Sequence, residues 1–116
     1  MPEVLIFEPD LFFSSKFEAL SQIESMTCRV YDNLDDLLEV LKRKNPQALV
    51  INLDSISQEN LRILTGYGCP VLGYYSHVNS DAAKAAEEAG VKLVVTRGVL
   101  ATNLMPLMQR LLTVDR

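Results

Sequence analysis

The hydrophobic positions of this chain fall into five short runs, separated by segments whose apolar residues have a helical spacing. Short continuous apolar runs are typical of strands that are buried on both faces of a sheet. We predict strands from Val4 to Phe7, Cys28 to Tyr31, Ala48 to Leu53, Val71 to Tyr75 and Lys92 to Val95. The alternation of strands and helices predicts an α/β fold, with a five-stranded parallel sheet between two helical layers in a doubly wound sandwich.

Five helical segments complete this pattern. They run from Leu11 to Met26, from the capping residue Asn33 to Asn45-Pro46, from Ser57 to Gly68, from about Asn79 to Gly90, and onward from Thr102 or Asn103. The third is expected to have only about two turns, because glycines interrupt it. Phe12 and Phe13 are adjacent in the first helix. Since one helix face cannot bury both rings, we expect one of them to be exposed.

Length and composition limit the classes of protein to which this chain can belong. The 116 residues, of which 48% are hydrophobic and 22% charged, predict one folded domain over residues 1–116. The net charge of −4 argues against nucleic-acid binding, which depends on Lys and Arg that neutralise phosphates. No apolar run approaches the roughly 18 residues that cross a bilayer. Cys28 and Cys69 lack metal-site spacing, so we expect reduced thiols and a cytoplasmic protein without a membrane partner.

Candidate chemistry lies where the predicted strands end. Residues at these ends are Glu8, Asp10, Asp54, Tyr75, Ser76, His77 and Arg97. The carboxyl ends of parallel strands meet at one edge of a doubly wound sheet, where ligands bind. Oxygen ligands from Glu8, Asp10 and Asp54 would suit a Mg²⁺ ion. A cation, a hydroxyl and Arg97 around Asp54 would in turn suit a phosphoryl group.

The chain resembles the receiver domain of two-component response regulators over its full length. The segments that carry the resemblance are Val4-Leu-Ile-Phe-Glu-Pro-Asp10, Leu49-Val-Ile-Asn-Leu-Asp54, Cys69-Pro-Val-Leu-Gly-Tyr-Tyr-Ser76 and Ala89-Gly-Val-Lys-Leu-Val-Val-Thr-Arg-Gly98. The resemblance implies the flavodoxin-like strand order 2-1-3-4-5. It also implies that Asp54, after the third strand, is the phosphate acceptor, with Mg²⁺ bound nearby and a phosphate or switch role for Ser76 or Tyr75 and for Arg97.

Several positions depart from the receiver pattern. Pro9 takes the place of the second acid of the usual pair, which weakens or rebuilds the cation site. Tyr75 falls where a Thr is expected, and Ser76 comes one residue late. Arg97 replaces a Lys, which differs from arginine in length and donor geometry. We therefore expect a receiver-like fold with an altered pocket.

The resemblance implies a stand-alone signalling domain of a phosphorelay rather than an enzyme. Its partner would be a histidine kinase or another signalling protein, and a homodimer is a further expectation. With an altered pocket, the domain could instead be a pseudo-receiver that binds its partner without phosphorylation. Two alternatives stay open. Residues 50–57 also resemble an anti-sigma-factor antagonist, and Ser76 with His77 would suit a small hydrolase if a distant acid oriented the histidine.

Overall fold

Five parallel strands form one sheet in a computed structural model of the chain, which describes residues 2–23, 26–76 and 78–113. The strands are β1 (Glu3–Phe7), β2 (Thr27–Tyr31), β3 (Ala48–Asn52), β4 (Val71–Tyr75) and β5 (Leu93–Thr96). Their order across the sheet is β2-β1-β3-β4-β5, and every neighbouring pair is parallel. The doubly wound parallel sheet and its order 2-1-3-4-5 are therefore confirmed.

Six helices cover the sheet in the described part of the chain. They are α1 (Leu11–Ile23), α2 (Leu34–Leu41), α3 (Gln58–Thr65), α4 (Ser80–Ala89), α5 (Arg97–Thr102) and α6 (Leu104–Thr113). A turn of 3-10 helix, Leu53–Ser55, follows β3 directly. Helices α1, α5 and α6 pack on one face of the sheet, and α2, α3 and α4 on the other. This arrangement confirms the three layers. No helix among the described residues has both the length and the apolar character needed to cross a membrane.

The sheet separates two apolar core layers because successive strand side chains point to opposite faces. Along β1, Val4 and Ile6 join the layer beneath α1 and α6, while Leu5 and Phe7 join the layer beneath α2 and α3. All five residues of β3 are buried. A strand buried on both faces explains the continuous apolar run from which β3 was predicted.

Several local predictions are confirmed by the polar contacts at helix ends. The Asn33 side chain accepts hydrogen bonds from the backbone N–H groups of Asp35 and Asp36, which caps α2. Gly90 ends α4 with a φ of 97°, a left-handed conformation that favours glycine. In α1, Phe13 is buried and Phe12 is 91% exposed. One of the two adjacent rings is thus exposed, as expected from their spacing.

Other boundaries differ from those predicted. β3 ends at Asn52 rather than Leu53, because the 3-10 turn begins at Leu53. The last predicted helix corresponds to α6, which begins at Leu104 rather than at Thr102 or Asn103, and an additional short helix, α5, capped by Thr96, comes before it. β5 is displaced by one residue toward the carboxyl terminus. Met26 is not helical, and the predicted helix end at residues 24 and 25 lies outside the described residues.

Candidate functional site

Three polar side chains meet on one face of the sheet at the ends of β1, β3 and β4. Glu8 and Asn52 each lie two positions beyond a residue of the α1 core layer, so they point to the same face as that residue. Tyr74 pairs with Asn52 in the sheet register. The pairing of Phe7 with Ile51 brings Glu8, one residue later, level with Asn52. The same alternation that builds the core therefore brings these three groups together.

Glu8 is the centre of this cluster and is fully buried. Its Oε2 accepts hydrogen bonds from the Asn52 side-chain amide at 3.0 Å and from the Asp10 backbone N–H at 2.9 Å. Its Oε1 accepts a short hydrogen bond from the Tyr74 hydroxyl. A buried carboxylate is costly unless it is hydrogen-bonded and paired with a charge. These three donors supply the first of those requirements.

Arg97 supplies the positive charge. Its Nη2 lies 3.6 Å from Glu8 Oε1, and its Nη1 lies 3.9 Å from Asp10 Oδ2. The guanidinium carbon is also 4.6 Å from the centre of the Phe13 ring and 5.6 Å from that of Tyr74. Stacking on aromatic faces is a property of arginine that lysine does not share to the same degree. Arginine at this position therefore fits an acidic pocket with aromatic walls.

The Tyr74 hydroxyl is held in its neutral form. Burial raises the pKa of Tyr74 far above its usual range, and the hydrogen bond to the Glu8 carboxylate raises it further. The phenol ring belongs to an aromatic cluster with Phe13 and Phe17. Tyr74 is fully buried, with its ring in the core and its hydroxyl bonded to an acceptor.

Asp54 lies outside this cluster, in the 3-10 turn after β3, and is exposed. Its Oδ2 accepts a hydrogen bond from the backbone N–H of Ser76 at 2.8 Å, and its Oδ1 accepts one from the Asn79 side chain at 2.8 Å. Its own N–H donates to Asn52 Oδ1 at 2.9 Å. Asp54 thus ties the end of β3 to the loop between β4 and α4.

The predicted metal set of Glu8, Asp10 and Asp54 is not assembled. Within the described ranges, no group of three or more His, Cys, Asp or Glu residues could hold a metal ion. The Glu8 oxygens are occupied by protein donors, whereas those of Asp54 face Ser76 and Asn79. A Mg²⁺ ion needs oxygen ligands that are directed at one common point. The arrangement of these residues therefore does not fit the ion, and Arg97 already provides a positive charge beside two of the acids.

Comparison with known proteins identifies the fold. No protein-family model and no curated protein sequence matches the chain. Among solved structures, a response regulator receiver protein from Burkholderia phymatum superposes with a TM-score of 0.82 at 18% identity, covering 97% of this chain and 95% of that one. The Francisella response regulator 1452 receiver domain gives 0.78 at 18% identity, with complete coverage of both chains. The chain has the fold of a response-regulator receiver domain.

A further similar structure is longer than this chain. NtrX from Brucella abortus superposes with a TM-score of 0.86 at 15% identity, and the match covers 99% of this chain but 28% of that one. The receiver fold is therefore also present as one part of a larger protein.

The residues predicted for the phosphate site fall at different places on this receiver fold. Arg97 and Glu8 are in contact, whereas Asp54 binds the β4–α4 loop instead. Tyr75 ends β4 and is half-buried, and Ser76 meets Asp54 through its backbone N–H. His77, the proposed hydrolase partner of Ser76, lies outside the described residues.

Sequence reasoning did not identify Asn52 and Tyr74 as members of the polar cluster. A signal for both was present, because each continues the two-residue alternation of its strand on the same face as Val50 and Leu72. The strand end at Asp54 was predicted from the length of the apolar run, which includes Leu53. Leu53 instead belongs to the opposite core layer and opens the 3-10 turn.

Proposed function

We propose that this chain is a receiver-like signalling domain that binds a partner protein without being phosphorylated. The observation that carries the proposal is the contact between Asn52 and Glu8 at the end of β3. The resemblance to receivers calls for a carboxylate where this strand ends, as the nucleophile that accepts phosphate, and β3 ends at Asn52, two residues before Asp54. A side-chain amide has no carboxylate oxygen to attack phosphorus, and the Asn52 amide already donates to Glu8.

The contacts of Arg97 support the same proposal. Phosphoryl transfer depends on positive charge that is free to stabilise the transferred group. Here the guanidinium lies between Glu8 and Asp10 and is stacked on Phe13. An internal cation thus occupies the acidic pocket, and a divalent ion would have to displace it. We infer that the pocket is a fixed structural network.

Asp54 is the phosphate acceptor that the resemblance to receivers implies. Its surroundings favour a structural role instead. Both of its oxygens accept hydrogen bonds from the β4–α4 loop. No Lys or Arg pairs with it among residues 2–23, 26–76 and 78–113. An acceptor aspartate would need a cation beside it to neutralise the incoming phosphate. We propose that Asp54 holds the loop and accepts no phosphate.

The experiment combines a phosphoryl-transfer assay, read by intact mass, with a measurement of the thermal unfolding midpoint. The purified protein is incubated with Mg²⁺ and acetyl phosphate, and its intact mass is measured beside the Asp54→Asn variant. We expect no phosphoryl adduct on the unmodified chain. We also expect no rise in its thermal midpoint with Mg²⁺, because an ion that binds the folded state would stabilise it by mass action. An adduct that disappears in Asp54→Asn would overturn the proposal and establish a working receiver.

The Asn52→Asp variant tests whether position 52, rather than position 54, corresponds to the phosphate-accepting position of receivers. It places a second carboxylate against the buried Glu8, so we expect a large loss of stability through like-charge repulsion. We expect Mg²⁺ to restore part of that loss, since two adjacent carboxylates give the ion oxygen ligands. Asp54→Asn serves as the matched control, with no Mg²⁺ response expected. A Mg²⁺ response in Asp54→Asn and none in Asn52→Asp would contradict the assignment.

A further inference from the structure

An open groove lies between α3 and α4 at the carboxyl edge of the sheet, on the face opposite the Glu8 cluster. Its volume is about 340 Å³, which is within the range of small binding sites. The groove is lined by Leu53, Asp54, Ile56, Gln58, Leu61, Asn79, Asp81, Ala82 and Ala85. It is thus bounded by the 3-10 turn after β3 on one side and by the first turns of α4 on the other.

The floor of this groove is apolar and stays open because its α4 wall is built from alanine. Ala82 and Ala85 line the α4 side of the groove, and their side chains are too short to fill it. Gln58 crosses from α3 and donates a hydrogen bond to the Ala85 carbonyl at 2.9 Å. A second bond, from the Thr65 hydroxyl to the Ala89 carbonyl at 2.8 Å, joins the same two helices. The groove is therefore a defined feature of the fold with an apolar base.

The mouth of the groove carries acidic charge alone. Among the described residues that line it, the charged ones are Asp54 and Asp81, and neither has an ion-pair partner in the described part of the chain. The Asp54 carboxylate is held in place by Ser76 and Asn79. Each of its oxygens accepts one hydrogen bond and retains capacity for another. A preorganised carboxylate at the rim of an apolar slot favours a cationic occupant.

We propose that this groove docks an arginine side chain of a partner protein. The planar guanidinium would donate to the rim carboxylates, while its aliphatic stem would pack on the apolar floor. This inference rests on the proposed function as an interaction domain and names the chemistry that its partner must present. It places the docking site between α3 and α4, away from the Glu8 and Arg97 pocket.

The test is an NMR titration of the ¹⁵N-labelled protein with N-acetyl-arginine methylamide. The matched probe is N-acetyl-citrulline methylamide, which keeps the length and shape of arginine but has no charge. We expect the arginine probe to shift amide signals of the 3-10 turn, α3 and the start of α4, and the citrulline probe to shift them far less. The arginine effect should weaken as salt is added, because exposed charges are screened.

Two variants assign the site, and one controls for general acidity. Asp81→Asn should lower the affinity for the arginine probe by about two- to fivefold, which corresponds to the loss of one exposed ion pair. Ala85→Leu should fill the floor and abolish the shifts, provided that its spectrum remains that of a folded protein. Glu88→Gln removes a charge from exposed α4 surface outside the groove and should leave binding unchanged.

Three results would overturn the proposal. These are the absence of groove shifts at the highest arginine concentration, equal shifts with citrulline, or equal weakening by Asp81→Asn and Glu88→Gln. Failure here would leave the phosphorylation result untouched, since the mass assay does not depend on the groove. A phosphoryl adduct on Asp54, conversely, would overturn the proposed function. The arginine titration would still be decided by the Asp81→Asn, Ala85→Leu and Glu88→Gln variants.

Discussion

Glu8 is a fully buried carboxylate whose polar neighbours come from distant parts of the chain. Asn52 and Tyr74 reach it from β3 and β4, and Arg97 follows β5. Removing a carboxylate from water costs several kcal/mol, so the donors around it must recover that free energy. No buried side-chain N or O atom in the described ranges lacks a hydrogen-bond partner. Each donor to Glu8 is therefore expected to matter for stability.

The Tyr74→Phe substitution tests the hydrogen bond that the Tyr74 hydroxyl donates to Glu8. It removes the hydroxyl from Glu8 and leaves the ring in the core, so the carboxylate loses a hydrogen bond without a cavity being formed. We expect the free energy of unfolding to fall by about 1–3 kcal/mol, measured by urea denaturation. Tyr75→Phe is the matched control. Its hydroxyl has no hydrogen bond in the described part of the chain, so we expect a change within about 0.5 kcal/mol. Equal losses in the two variants would contradict a special role for the Tyr74 hydroxyl.

How far this cluster could be predicted depended on the kind of side chain involved. Glu8, Asp10 and Arg97 were identified because charged groups at strand ends are conspicuous in a sequence. Asn52 and Tyr74 were not, since an amide and a phenol inside apolar runs are compatible with many positions. Their contact with Glu8 depends on the register between strands, which is fixed by tertiary packing and is not determined by any one segment.

Helix boundaries show the same limit. The caps of α2 and α4 were predicted from Asn33 and Gly90, whose preferences for these positions are local. The short helix α5 was not predicted. It depends on Thr96, which caps α5 by accepting from the Val99 N–H, and on Asn103, whose side chain donates to the Val99 carbonyl. Threonine and asparagine are common in loops as well, so their presence alone did not predict a six-residue helix.

The junction between β3 and β4 depends on a glycine. A Cβ atom at Gly73 would lie 2.8 Å from the δ carbons of Leu53, the first residue of the 3-10 turn. Leu53 is buried and also lines the groove between α3 and α4. The absence of a side chain on β4 thus gives the turn room to fold back onto the sheet. The γ carbon of Leu53 would also lie 2.9 Å from this Cβ atom, so the whole side chain, and not its tip alone, would have to shift.

The Gly73→Ala substitution should therefore destabilise the protein through overpacking. We expect a loss of about 1–3 kcal/mol in the free energy of unfolding. In a Leu53→Ala background the same substitution should cost less, because the clashing side chain is gone. A double-mutant cycle by urea denaturation measures that difference as a coupling energy. Additive effects of the two substitutions would show that Leu53 is not the reason for glycine at this position.

The α1 core layer extends across the sheet and contains two groups that ionise at alkaline pH, Cys28 and Tyr74. Burial raises the pKa of the Cys28 thiol to about 11 from its ordinary value of 9.0. Burial and the nearby Glu8 carboxylate raise the pKa of Tyr74 as well. Both groups are therefore neutral in the folded protein at a pH where they begin to ionise in the unfolded chain.

The direction of the resulting pH dependence follows from proton linkage. A group whose pKa is higher in the folded state stabilises that state fully below its unfolded pKa. This contribution then declines as the pH rises toward the folded pKa. For Cys28 the contribution is complete below about pH 9 and is lost as the pH approaches about 11. We expect the urea midpoint of the protein to fall across this window, measured between neutral pH and the alkaline limit of solubility.

The Cys28→Val variant isolates the thiol from the other alkaline groups. Valine keeps an apolar side chain of similar size in the core and has no proton to lose. Its urea midpoint should therefore fall less steeply above pH 9 than that of the unmodified protein, with Tyr74 and the half-buried Cys69 accounting for part of the remaining slope. Both proteins should have flat profiles with respect to these groups near neutral pH. Parallel curves through the alkaline window would mean that Cys28 ionises alike in the folded and unfolded states, and that the core layer does not hold its proton.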